Sequence, residues 1–237
     1  MIVIVCQLCL QLLLMQVPRI PANGSFSEVF NVFQNPARLA SVKHVAAGVY
    51  AERRFMLREI GVHALALGMP VAGGVAGLKL WQMGYRLYRE HLAGLSYALP
   101  LEKRLKVAVG LNYRDGGLGG EAGVDWQLTP QFNMGLHLYH PGANDAAGMV
   151  TLGYQASDQV RMEAALRKEV LMPLSVRVTC AYRPVKYLVL LGGWATQPVF
   201  QFAGVGYGGR NWRIGMTGSF HSTLGITPGI SLVWEKE

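Results

Sequence analysis

The sequence predicts an all-β fold: a transmembrane, antiparallel, up-and-down β-barrel of about fourteen strands. Three observations carry this. A two-residue hydrophobic period runs along most of the chain, turn residues interrupt it at hairpin spacing, and one aromatic per hairpin recurs at matching positions.

The period is explicit. Leu105, Val107, Val109 and Leu111 alternate with Lys106, Ala108, Gly110 and Asn112. Phe132, Met134, Leu136 and Leu138 alternate with Gln131, Asn133, Gly135 and His137. The same holds for Val176, Val178 and Cys180, and for Trp212, Ile214 and Met216. Successive side chains on a strand point to opposite faces, so each segment has one apolar and one polar or small face.

The turns come in two kinds. Tight ones are expected at Pro70–Gly74, Pro100–Lys103, Thr129–Pro130, Ser157–Asp158, Pro184–Val185 and Gly208–Arg210. Looser ones are expected at Glu52–Gly61, Met83–Glu90, Arg114–Gly120, Pro141–Ala146, Val170–Pro173, Thr196–Pro198 and Ser222–Gly225. Short turns on one rim and longer loops on the other are the signature of an outer-membrane barrel.

Tyr97, Trp126, Tyr154, Tyr182, Tyr207 and Trp234 recur at intervals of about 28 residues, the length of one hairpin. An interfacial girdle needs one such residue per hairpin at one rim, with its ring in lipid and its polar tip in water. A soluble solenoid shares the repeat length. The alternating turns, the charges on one strand face and the apolar leader favour the barrel.

Composition agrees. Of 237 residues, 51% are hydrophobic and only 15% charged, and 29 are glycine. No run in the body of the chain is long and apolar enough to span a bilayer as a helix, so a closed sheet is the remaining way to satisfy the backbone in lipid. The stretch 1–24 reads as a signal peptide: an apolar core from Ile2 to Leu14, then Pro18, Pro21 and small residues at Ala22 and Gly24. Cys6 and Cys9 fall inside it as apolar fillers, leaving Cys180 without a partner for a disulfide. Residues 25–41 form a plug-like segment, with Phe26, Val29, Phe30 and Phe33 at helical spacing and Ser25 as its cap. Residues 42–237 form the barrel.

Net charge is +8, but the Lys and Arg residues are scattered along strands without a nucleic-acid motif, which argues against nucleic-acid binding. Pointing apolar residues outward puts Lys79, Lys106, Asn112, Asp125, Gln127, Asn133, His137, Arg213 and His221 inside, together with Arg161, Glu163, Arg167 and Arg177. These last four lie on two consecutive strands and are expected to form a charge network across the lumen. Such a network either rigidifies a filled barrel or selects an anionic group. The six His residues show no metal-ligand spacing. Ser219 and His221 share a strand face too far apart for a nucleophile and its base. No catalytic constellation, metal site or cofactor is expected. Glycine runs at Gly116–Gly120 and Gly204–Gly209 precede no helix and do not read as phosphate loops.

Two stretches resemble known material. Thr227-Pro228-Gly229-Ile230-Ser231-Leu232-Val233-Trp234 resembles the last-strand signal read by barrel-assembly machinery, with Gly229, Leu232 and Trp234 as its elements. Asn35-Pro36-Ala37-Arg38-Leu39-Ala40 resembles the element that precedes the first strand in FadL-like barrels and in the related PorV/PorQ proteins of Bacteroidetes type IX secretion. The resemblance extends through Tyr50–Phe55, Gly84–Tyr88 and Ala181–Pro184. It implies a fourteen-stranded barrel of the bacterial outer membrane with an N-terminal segment in the lumen. It further implies a role in transport or protein secretion, as an accessory barrel docked to another envelope protein or as a passage for a hydrophobic small molecule. A structural outer-membrane protein with a filled, non-conducting lumen is the alternative. In each reading the constant partner is outer-membrane lipid.

Overall fold

The computed structural model describes residues 26–85, 88–114, 117–140, 146–170 and 172–236; the expected signal peptide lies outside them. Fourteen antiparallel strands close on themselves in sequence order, with β14 returning to β1. They are β1 (Ala46–Arg53), β2 (Gly61–Val71), β3 (Gly74–Tyr85), β4 (Tyr88–Pro100), β5 (Leu105–Arg114), β6 (Gly117–Gln127) and β7 (Phe132–Tyr139). The rest are β8 (Ala147–Gln155), β9 (Val160–Glu169), β10 (Ser175–Val185), β11 (Leu188–Thr196), β12 (Val199–Gly208), β13 (Trp212–His221) and β14 (Gly225–Glu235). The seam joins Ala46 to Glu235 and Glu52 to Gly229, so no edge strand is left. This is the barrel the two-residue period predicts.

Alternation sorts the two faces. Along β1, Ala46, Gly48, Tyr50 and Glu52 are buried inward while Val49 is 48% exposed on the outside. Outward rows elsewhere carry Leu95, Leu111, Leu136, Leu152, Leu166, Met216 and Ile230, all exposed, and these form the apolar belt.

The two rims differ less than the sequence suggests. Longer connections do occur at 54–60, 140–146 and 170–174. At the other four expected loops, pairing runs almost to the rim: Tyr85 meets Tyr88, Arg114 meets Gly117, Thr196 meets Val199, and His221 meets Gly225. Their Gly-, Tyr- and Arg-rich composition resembles a loop, but the backbone groups there find ladder partners. Gly84 makes this possible at β3–β4 with a φ of 117°, where a Cβ would strike the Tyr88 backbone.

Residues 26–42 run inside the barrel as two short 3-10 helices, Glu28–Phe33 and Pro36–Ser41. The helix expected over Phe26–Phe33 forms from Glu28 onward, capped by the Ser27 side-chain oxygen, while the expected cap Ser25 lies outside the described residues; Asn35 and Pro36 then open a second helix. Val29, Phe30, Val32, Ala37 and Leu39 are essentially inaccessible to solvent and make one apolar core with Tyr50, Val62, Trp81 and Leu92 of the wall. Phe26 lies ahead of the helices, and Phe33 is only partly buried.

Candidate functional site

The lumen is where this chain can act, and small residues on its wall decide how the inner segment sits. A Cβ added at Gly48 would come within 2.8 Å of Phe30, and one at Gly77 within 2.5 Å of Leu39. Gly204, Gly206 and Gly215 leave the space that the Phe26 ring occupies, within 3.0 Å of each such Cβ. Gly123 and Gly135 flank Asn35. The segment therefore packs on β1, β3, β6 and β7 and reaches across to β12 and β13. Van der Waals contact at these close approaches would be lost to any larger side chain.

Polar contacts fix it further. Asn35 donates from Nδ2 to the carbonyl of Val124 at 2.9 Å, and its Oδ1 accepts from the Ala37 amide at 3.1 Å. Pro36 occupies the first position of the second helix, where its missing amide costs nothing. Arg38 reaches three partners: Glu163 at 2.7 Å, Asp125 at 3.2 Å and the Thr151 hydroxyl at 3.0 Å. Burial works against the Arg38 charge, but Glu163 and Asp125 more than offset it and hold its pKa above the usual value. Lys106 donates to the Ser41 hydroxyl at 2.6 Å. Lys79 donates to both carboxylate oxygens of Glu121, at 2.8 and 2.7 Å, and His137 Nε2 lies 3.2 Å from the same group.

Toward the loop rim, two further ion pairs face the lumen. Arg54 contacts Glu52 at 2.9 Å, with Tyr50 donating to the same carboxylate at 2.6 Å. Arg114 contacts Glu90 at 2.8 Å.

The β8–β10 side is left open. A cavity of about 260 Å³ runs there between the inner segment and the wall, from Asp158 and Gln159 near one rim to Ser175 near the other. Arg161, Glu163, Arg167 and Arg177 all line it. They are brought to one wall but divide their contacts. Glu163 is held chiefly by Arg38, with Arg161 at 3.9 Å. Arg167 contacts Glu169 at 2.9 Å, and the Arg177 guanidinium lies 5.9 Å from the rings of Phe200 and Phe202. Sequence reasoning missed Arg38 as the hub of this wall, and it missed Glu121. Arg38 stands in a segment whose path no local pattern reveals. Glu121 stands amid Gly117–Gly123, where periodicity is weakest.

The six aromatics all point outward near the rim where β1 begins and β14 ends. Trp126, Tyr154, Tyr182 and Tyr207 are exposed there, and Tyr154 stacks on Phe132 with centroids 4.7 Å apart. Tyr97 donates to the Ala72 carbonyl in the β2–β3 turn at 3.0 Å. Trp234 stands at the closing seam, opposite Ala47 on β1 and Trp212 on β13. Leu232 faces outward beside it, while Gly229 faces in and leaves room for the Tyr50 hydroxyl.

Closed fourteen-strand architecture, an apolar belt and an aromatic rim together define the fold of an outer-membrane β-barrel, which suits the chain to the bacterial outer membrane. Solved structures share it. The outer membrane protein Omp33 of Acinetobacter baumannii is similar over 81% of this chain and 98% of its own, with a TM-score of 0.59 at 8% identity. The CymD monoaromatic hydrocarbon channel is similar over 92% of this chain and 94% of its own, with a TM-score of 0.58 at 14% identity. The KdgM porin aligns over 81% and 100%, with a TM-score of 0.52 at 8% identity. No family model matches the sequence, and no curated protein matches it significantly.

Proposed function

We propose that the chain is a narrow outer-membrane channel, plugged on one side by residues 26–42, that passes water and small anionic solutes along its β8–β10 wall. One observation carries this reading: the cavity left by the inner segment is lined from rim to rim, by seven Lys and Arg against four Asp and Glu. A lumen with that balance attracts anions and repels cations at close range. The porin and channel neighbours supply the precedent of transport through this fold.

Reversal potentials in planar bilayers under a KCl gradient test the reading. Wild type conducts with anion preference, and Arg161→Glu combined with Arg177→Glu shifts the preference toward cations. Arg38→Ala, which removes the contacts to Glu163, Asp125 and Thr151, raises conductance by loosening the segment. Absence of conduction in wild type and in Arg38→Ala alike would overturn it in favour of a filled, structural barrel.

A second reading is the accessory-barrel or hydrophobic-passage role that the PorV/PorQ and FadL-like resemblance implies. It is favoured by the Asn35-Pro36-Ala37 element, whose Asn35 is hydrogen-bonded to the inner wall. Co-purification of a stoichiometric envelope protein, or of a lipid-sized ligand near Phe26–Phe33, distinguishes its two forms.

A further inference from the structure

The outer surface of β1–β4 breaks the apolar pattern of the belt at the loop rim. Register places four outward side chains in one row across the strands: Ala51, His63, Gln82 and His91. One outward position nearer the rim, Arg53 pairs with Gly61 and Gly84 pairs with Arg89. Two exposed arginines thus flank two glycines. Adjacent strands lie about 4.8 Å apart, which sets Arg53 and Arg89 about 14 Å apart along the rim. Nearer mid-membrane the rows turn aliphatic, with Val49, Leu65, Leu80 and Ala93.

These rows form a feature in relief. A groove of about 620 Å³ opens on this face, lined by His63, Gln82 and His91 at the level of the polar row and by Val49, Leu65 and Leu80 beneath. Around the rest of this rim the outward positions are mostly apolar, as at Tyr113, Leu118, Leu138, Trp194 and Phe220, with Gln201 as a single polar residue between the last two. The other outward cation among the described strand residues, Lys168, donates at 2.6 Å to the Met172 carbonyl of its own connection. Cations on the lipid face are costly unless they reach the interface or meet an anion. Arg53 and Arg89 stand at the interface with their forks available for bidentate phosphate contacts. Below them come hydrogen-bonding side chains, then an aliphatic channel of the kind an acyl chain fills.

We propose that this face is a binding site for a phosphorylated lipid of the outer leaflet. The phosphates sit at Arg53 and Arg89, the polar linkage meets His63, Gln82 and His91, and an acyl chain lies in the groove along Leu65 and Leu80. The site is independent of whether the lumen conducts. It depends only on the barrel standing in a membrane with its loop rim outward, the orientation expected when the start of β1 and the end of β14 lie at the opposite rim.

Native mass spectrometry of the full barrel in mild detergent tests it, with bis-phosphorylated lipid A, its dephosphorylated form and phosphatidylcholine as probes. Wild type retains lipid A after detergent is stripped and sheds the other two. Arg53→Ser with Arg89→Ser weakens lipid A retention by about tenfold or more, a loss of two charge-assisted contacts. His63→Phe, which fills the groove, weakens it as well. Heat-modifiable gel mobility shows that each variant is folded. Equal retention by the double arginine variant, or equal retention of dephosphorylated lipid by wild type, overturns the proposal. So does failure of wild type to hold lipid A.

Discussion

Replacing Glu121 with Gln should be among the most damaging single changes to this barrel. The Lys79 side chain is 2% exposed and that of Glu121 is 0% exposed, with Nζ and Oε2 2.7 Å apart. Once the carboxylate is gone, the Lys79 ammonium keeps the Val32 carbonyl at 3.4 Å and the Tyr139 ring at 5.1 Å. Neither balances its charge. Breaking a buried pair by removing one partner costs about 3–5 kcal/mol, because the desolvated charge left behind is uncompensated. For a urea dependence of about 3 kcal/mol per molar, the unfolding midpoint should fall by about 1 to 1.7 M. The assay is urea unfolding of barrel refolded into short-chain lipid vesicles, followed by tryptophan emission and checked by heat-modifiable mobility. Lys79→Met combined with Glu121→Leu removes both charges and should restore most of the loss, since a well-packed apolar replacement of an ion pair is often neutral or better. A Glu121→Gln penalty below about 1 kcal/mol, or a double variant as unstable as the single one, would refute the reasoning.

Further predictions concern the wall and its closure. Leu136 is 41% exposed on the lipid face, so Leu136→Arg should cost about 2–4 kcal/mol in the same unfolding assay. Asn133, which faces inward 3.4 Å from Asp125, should tolerate Arg, and equal effects at the two positions would overturn the facing assigned to β7. Trp234→Ala should lower the folded, heat-modifiable fraction recovered from outer membranes several-fold, because it strips the last strand of its aromatic beside Trp212; an undiminished yield counts against an assembly role.

Much of this architecture is legible locally. Alternation in stretches such as Leu105–Leu111 and Phe132–Leu138 fixes strand identity and facing, because a side-chain period of two has only one register that buries charge inward and exposes Leu and Val to lipid. The aromatics from Tyr97 to Trp234 mark one rim for the same reason: Tyr97, Trp126, Tyr154, Tyr182 and Tyr207 fall where an outward strand position nears a turn, and Trp234 falls where the last strand ends. Loop lengths were less legible. Gly84, Tyr85 and Tyr88 have loop composition, yet they pair across β3 and β4 because a neighbouring strand is present to receive their amides and carbonyls.

The strands, their inward and outward faces and the row of aromatics near one rim all follow from residues close together in the chain. What fills the lumen depends instead on contacts between distant residues. Arg38 meets Glu163 across a separation that no local pattern spans, and Phe26 finds its place only where Gly204, Gly206 and Gly215 converge from neighbouring strands. Closure likewise created the basic wall along β8–β10 and the arginine row from Arg53 to Arg89, because both unite residues whose proximity exists only once the strands are in register.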